Sequence, residues 1–141
     1  GGECYGNDEK YTQLISDLEI SDFVTWHNKY IPDSDVAEYF SAADVVALPY
    51  RSASQSGITQ IAYYYDIPVI VTKVGGLPEI VDEGQSGFTI EPENPTELAN
   101  MLEKHLKNGT FFEMKNYIKT FKQKFSWEYF VNGIESVYSR I

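Results

Sequence analysis

Two short apolar runs constrain what this chain can fold into. Val45-Val46-Ala47-Leu48 and Pro68-Val69-Ile70-Val71-Thr72 carry no charge, and each empties into a turn of small or polar residues. A strand with one wet face alternates apolar and polar side chains, so a continuous apolar run marks a strand covered on both faces. The first run leads into Ser52-Ala-Ser-Gln-Ser-Gly-Ile-Thr-Gln60, which opens a helix, and the second into Lys73-Val-Gly-Gly76. Strand, turn and helix in succession predict an α/β fold: a parallel sheet, right-handed crossovers and helices on both faces. Turns that follow the carboxyl ends of such strands line the ligand crevice of this architecture.

The remaining elements follow from local signals. Asn7 caps a helix to about Leu18, with Tyr11, Leu14, Ile15 and Leu18 on one face. Phe23 to Trp26 reads as a short strand of β-favouring residues. Pro32-Asp33 starts a helix through Ala43, and another runs from about Gly57 to Tyr65. Leu77 to Val81 makes a short helix, and Gly87 to Ile90 a last small strand. Asn94-Pro95-Thr96-Glu97 combines an N-cap, a proline at the first helical position and a capping-box glutamate. That helix stops near Gly109 in a left-handed cap, and helices over 110–124 and 126–140 complete the chain.

At 141 residues the chain is read as a single domain, 1–141, with a hydrophobic core of its own. Its net charge of −10 disfavours nucleic acid or an anionic membrane as a partner. A lone cysteine, Cys4, suggests neither a disulfide nor a metal cluster, so no metal is expected, and the setting is read as cytoplasmic. The opening Gly-Gly-Glu3 resembles the end of a strand, which suggests a fragment of a longer protein.

Two local features bear on chemistry. A helix beginning at Gly57 presents unpaired N–H groups and about half a positive charge, so Gly57 and Ile58 can meet an anion through the backbone. Ser54 and Ser56 can cap that helix or donate hydroxyls to phosphate oxygens. From Phe40 to Glu103 the only cations are Arg51 and Lys73, against nine carboxylates, and both stand just past the two apolar runs. They are candidate electrostatic supports for an anion. No carboxylate occurs from Arg51 to Tyr65.

Taken in order, Ile31-Pro-Asp33, Tyr39-Phe-Ser-Ala-Ala-Asp-Val45, Leu48-Pro-Tyr50, Ile67-Pro-Val-Ile-Val-Thr72 and Val74-Gly-Gly-Leu-Pro-Glu-Ile-Val81 resemble the C-terminal donor-binding domain of GT-B glycosyltransferases. The likeness is to the retaining group 1 (family 4) enzymes, and Gly87-Phe-Thr-Ile90 and Phe125-Ser-Trp-Glu128 extend it along the chain. It implies a Rossmann-like sheet forming the C-terminal half of a GT-B fold, truncated at its N-terminus. It further implies sugar transfer from a nucleotide-sugar substrate, with retention and without a required cofactor or metal.

The family turn usually carries two glutamates, for the donor sugar and the ribose. Anchoring on Gly57 places them at Ser54 and Ala62; anchoring on Pro68 places them at Ala53 and Ile61. Neither register finds a carboxylate. Gly57-Ile-Thr-Gln60 is similar to the Gly-Leu-Thr-Gln of glycogen and starch synthases, which lack the second glutamate. Gln55 and Gln60 can offer neutral hydrogen bonds instead, weaker by about 1–2 kcal/mol than a charged acceptor. Asn28-Lys-Tyr-Ile31 matches the loop whose main chain meets the nucleobase, leaving Tyr30 and Ile31 to line an apolar slot.

The resemblance assigns no catalytic residue to this chain and places the acceptor-binding groups in a missing N-terminal domain. The expected function is the donor-binding part of a bacterial surface-polysaccharide or glycolipid glycosyltransferase, inactive alone. Any membrane contact would come through the missing domain, at the inner face. Two other readings stand beside it: a sugar-nucleotide epimerase of the same fold, and a non-catalytic binding module.

Overall fold

The computed structural model describes Gly2 and residues 6–139. Glu3, Cys4 and Arg140, where the sequence reading places a strand end, the lone thiol and the last helix's end, lie outside these. The chain separates into two compact units, 1–39 and 40–141, with the division falling inside one helix.

The first unit holds α1 (Glu9–Asp17) and the start of α2 (Asp33–Ser41). Asn7 serves the start of α1 as expected, its Oδ1 accepting from the Glu9 N–H at 2.8 Å. Tyr11 meets Trp26 with ring centroids 5.3 Å apart. The predicted strand at Phe23–Trp26 does not form. Ser21–Phe23 is a 3-10 turn, followed by extended backbone at Val24. β-favouring side chains dictate extended dihedrals, but a strand also needs a neighbour to pair with. Among the described residues none lies beside this segment in a sheet.

The second unit is built on three parallel strands in the order β1 (Val46–Leu48), β2 (Val69–Thr72), β3 (Gly87–Ile90). The registers are Val46 with Val69 and Val69 with Gly87. All four residues of β2 are buried, so both faces of the central strand are covered, as its apolar run predicts. Each such aliphatic side chain contributes about 1.5–3 kcal/mol on burial. The same expectation fails at β1, where Ala47 is exposed although Leu48 is buried. Among the described residues β1 has one strand neighbour, β2, so it stands at an edge of the sheet.

α3 (Gly57–Tyr64) returns from β1 to β2. Its end is fixed by two bonds, from the Ile67 N–H to the Ala62 carbonyl at 2.9 Å and from the Asp66 N–H to the Tyr63 carbonyl at 3.0 Å. This is a Schellman arrangement with Asp66 in the left-handed position at φ 62. Lys122 holds that corner, 2.7 Å from the Asp66 carboxylate. Tyr63 packs into the core from α3. It is 1% exposed, and its hydroxyl bonds the Ile80 carbonyl and Ser86. Burial pushes that phenol up to about 12; the Ser86 bond opposes the shift and the Asp82 charge adds to it.

α4 (Pro95–Lys107), α5 (Thr110–Phe121) and α6 (Trp127–Tyr138) follow, with a 3-10 turn over Lys122–Phe125. Asn94 caps α4 through the Glu97 N–H at 3.1 Å. The Glu97 carboxylate accepts from the Asn94 side chain and from the Glu91 N–H, which ties the cap to the end of β3. Gly109 closes α4 at φ 69, the expected left-handed conformation. Phe111, Met114, Ile118 and Phe121 drive α5 into the core.

Candidate functional site

Because the strands are parallel, their carboxyl ends share one edge of the sheet, and three loops leave from it. These are the β1–α3 loop, the turn after β2 and the β3–α4 loop. The buried Thr72 hydroxyl donates to the Tyr50 carbonyl at 2.6 Å, tying the start of the β1–α3 loop to the end of β2. The Gly76 N–H donates to the Ser54 carbonyl at 2.8 Å, clasping the middle of the loop to the glycine turn. Gly75 makes this approach possible. It sits at φ +52, and a Cβ there would lie 1.9 Å from the Ala53 carbonyl oxygen. Gln55 lies over Gly76, with Cγ and Nε2 3.6 and 3.8 Å from where a Cβ of Gly76 would stand.

The clasp presents the start of α3. Ser56 is its N-cap, with Oγ accepting from the Ile58 N–H at 3.3 Å, and the Thr59 hydroxyl donates to the Ser56 carbonyl. Tyr50 reaches the same serine, hydroxyl to hydroxyl, at 3.5 Å. A serine hydroxyl that accepts from its own helix still has a proton to give, so capping and ligand contact are compatible. Ser54 takes no part in the cap; its carbonyl is the clasp. At Gly57 an added Cβ would meet nothing within 4 Å, and the backbone is not left-handed. Beyond the Ser56 hydroxyl that holds the Ile58 N–H, no side chain crowds the position where a Gly57 Cβ would stand.

The two predicted cations are each engaged. Arg51 Nε is 3.2 Å from Glu93 Oε1, and Lys73 Nζ is 2.7 Å from Glu91 Oε1. The bond to Glu91, and then its charge, raise the lysine above its ordinary value. Both cations are thereby drawn to the β3–α4 loop. Beside Arg51 and the β3–α4 loop lies a hollow of about 210 Å³, lined also by Pro49, Thr72, Ile90 and Leu98. Glu91, Glu93 and Asn94 on its rim were not singled out from sequence. The available signal was their position directly after a parallel strand, on the ligand side of the sheet.

Gln60, on the next turn of α3, borders a second hollow with Phe125, Ser126 and Trp127 at the start of α6. Tyr30 and Ile31 belong to the first unit, Tyr30 exposed and Ile31 half-buried. The two histidines have aromatic partners within their own units. His27 pairs with the Tyr39 hydroxyl at 2.5 Å, and His105 lies on Phe88 with centroids 4.2 Å apart. Burial, then the charge of Lys104, lowers His105 below its ordinary value. Among the described residues no group of three or more His, Cys, Asp and Glu is placed to hold a metal, and no helix is long and apolar enough to cross a membrane.

Residues 2–108 match the family profile described as Glycosyl transferases group 1. The chain is 31% identical over 138 residues to a D-inositol 3-phosphate glycosyltransferase of Corynebacterium jeikeium, covering 96% of this chain and 33% of that protein. The chain thus spans about a third of the length of such relatives. Among solved structures, Anabaena HepE in complex with UDP-glucose superposes with a TM-score of 0.77 at 22% identity, over 99% of this chain and 40% of the other. The C-terminal domain of a group 1 glycosyl transferase, LpcC from Francisella tularensis, superposes at 0.74 and 15% identity, over 83% and 60%. At these identities the structural likeness establishes the fold, which is that of GT-B enzymes.

Proposed function

The chain belongs to the group 1 glycosyl transferases, and from that membership we propose that it is the donor-binding part of a retaining enzyme. It takes a nucleotide-sugar and contributes to sugar transfer onto a saccharide or lipid-linked acceptor, in bacterial surface-polysaccharide synthesis in the cytoplasm. The observation that carries this reading is the uncovered start of α3: a helix N-terminus, capped by Ser56, with open space at Gly57. The fold's likeness to a protein solved with UDP-glucose supports it.

The chemistry asked of this chain is electrostatic. When the glycosidic bond to the nucleotide diphosphate breaks, negative charge grows on the leaving phosphate. Backbone N–H groups at Gly57 and Ile58, with the helix dipole behind them, stabilise that charge more than the ground state. The Ser56 hydroxyl adds a donor, and Gln55, lying against the glycine turn, offers a neutral amide where a carboxylate is usual. The acceptor site and the base are assigned to the N-terminal domain that the family resemblance implies, so this chain alone is expected to bind donor without turnover.

The absence of any carboxylate from Arg51 to Tyr65 favours a second reading, a binding module without chemistry. Calorimetric titration with UDP, GDP and ADP tests the donor-binding reading. Saturable binding of one nucleotide with a diphosphate-dependent affinity is the expected result. Binding of none at millimolar concentration would leave the interaction module. Donor turnover by this chain at the rate of a full enzyme would remove the claim that it is inactive alone.

A further inference from the structure

The hollow between Arg51 and the β3–α4 loop shares no lining residue with the start of α3, and the preceding reading gives it no role. It is lined by one guanidinium, Arg51, and two carboxylates, Glu91 and Glu93, with Asn94 beside them; Lys73 reaches it only through its ion pair with Glu91. Each carboxylate gives Oε1 to its cation, and among the described residues Oε2 of neither has a hydrogen-bond partner. The rest of its lining is Pro49, Ile90, Pro95 and Leu98, with Thr72, whose hydroxyl is held by the Tyr50 carbonyl.

This combination selects a ligand class. A free anion meets two carboxylates, and a free cation meets Arg51 and carboxylates already paired with cations, so a charged ligand gains little. A neutral polyol ring uses all of it: hydroxyls donate to carboxylate oxygens and accept from guanidinium and amide, while the C–H face lies on the apolar side chains of the lining. At about 210 Å³ the hollow is smaller than the roughly 300–1,000 Å³ of drug-sized sites, which suits a single ring. Its place at the carboxyl ends of parallel strands is where this architecture takes ligands.

We propose that this hollow is a saccharide subsite, in which Glu91 and Glu93 supply the sugar-hydroxyl acceptors that the β1–α3 loop lacks. The two carboxylates are already held by their ion pairs, so each stays paired with a cation when a sugar hydroxyl reaches its second oxygen. The proposal deepens the glycosyl-transfer reading and rests on it for the choice of ligand class.

The test is an NMR titration of the intact chain with D-glucose, D-galactose, D-mannose and N-acetylglucosamine, with glycerol as control, reading the Arg51 Nε–H and Asn94 side-chain amide. At least one sugar should shift both signals saturably, with a dissociation constant on the order of 1–20 mM. Glu93→Gln and Glu91→Gln, both at exposed positions, should each weaken that binding about fivefold or more while leaving the melting temperature unchanged. No shift with any of the four sugars up to about 100 mM overturns the proposal. So does an equal response to glycerol, or binding indifferent to both substitutions. A UDP titration of the same sample, read at the Gly57 amide, reports separately on the donor-binding reading. Sugar binding without UDP binding defeats that reading alone, and the reverse defeats the subsite alone.

Discussion

Gly57→Ala separates a glycine kept for a ligand from one kept for the fold. The residue is the first of α3, its backbone is not left-handed, and an added methyl would touch nothing within 4 Å. The folded protein thus loses nothing, and the unfolded chain loses some freedom. Stability should be unchanged or rise by up to about 0.5–1 kcal/mol. If a diphosphate lies against the Gly57 and Ile58 N–H groups, the methyl occupies space the phosphate needs. Displacing one charge-assisted hydrogen bond costs about 1.5–3 kcal/mol, a roughly 10- to 150-fold loss in nucleotide affinity. Calorimetry with the nucleotide that binds wild type, beside thermal unfolding of both proteins, measures the two effects. An alanine variant as stable as wild type that binds that nucleotide equally well would refute the placement of the diphosphate at this helix.

Gly75→Ala should behave oppositely. Its Cβ would lie 1.9 Å from the Ala53 carbonyl oxygen at φ +52, so a loss of about 2–4 kcal/mol is expected in denaturant unfolding. Asn94→Ala removes the α4 cap and its bond to Glu97, and should cost about 0.5–2 kcal/mol in the same assay. His105 has a folded-state pKa below its ordinary value of 6.5, held there by burial first. Below that value the unfolded chain binds the proton more readily, so this contribution is fully present above about pH 6.5 and declines as pH falls beneath it. His105→Phe should flatten the difference in unfolding free energy between about pH 8 and pH 5; an unchanged slope would show that His105 does not cause it.

Much of the fold was legible because its signals are local. The β2 run states its own burial, Asn94 and Ser56 stand at the helix starts they cap, and Gly109 marks a helix end. Each depends on residues a few positions apart, where spacing and side-chain chemistry decide the outcome. Local signals also misled: Phe23 to Trp26 has strand composition without a strand beside it, and Ala47 belongs to an apolar run yet lies open at an edge.

The site divides along the same line. The sequence by itself determined a small-residue loop opening a helix at Gly57, with no carboxylate in it, and two cations just past two strands. The tertiary structure decided what those groups meet. The order β1-β2-β3 brings the β3–α4 loop to the ends of the other two strands, so Glu93 reaches Arg51 and Glu91 reaches Lys73. It also sets the glycine turn against Ala53 and turns Gln60 toward the start of α6. The physical reason is that a side chain's local conformation depends on its near neighbours. Its partner across a sheet edge depends on strand order, which no short stretch of sequence contains.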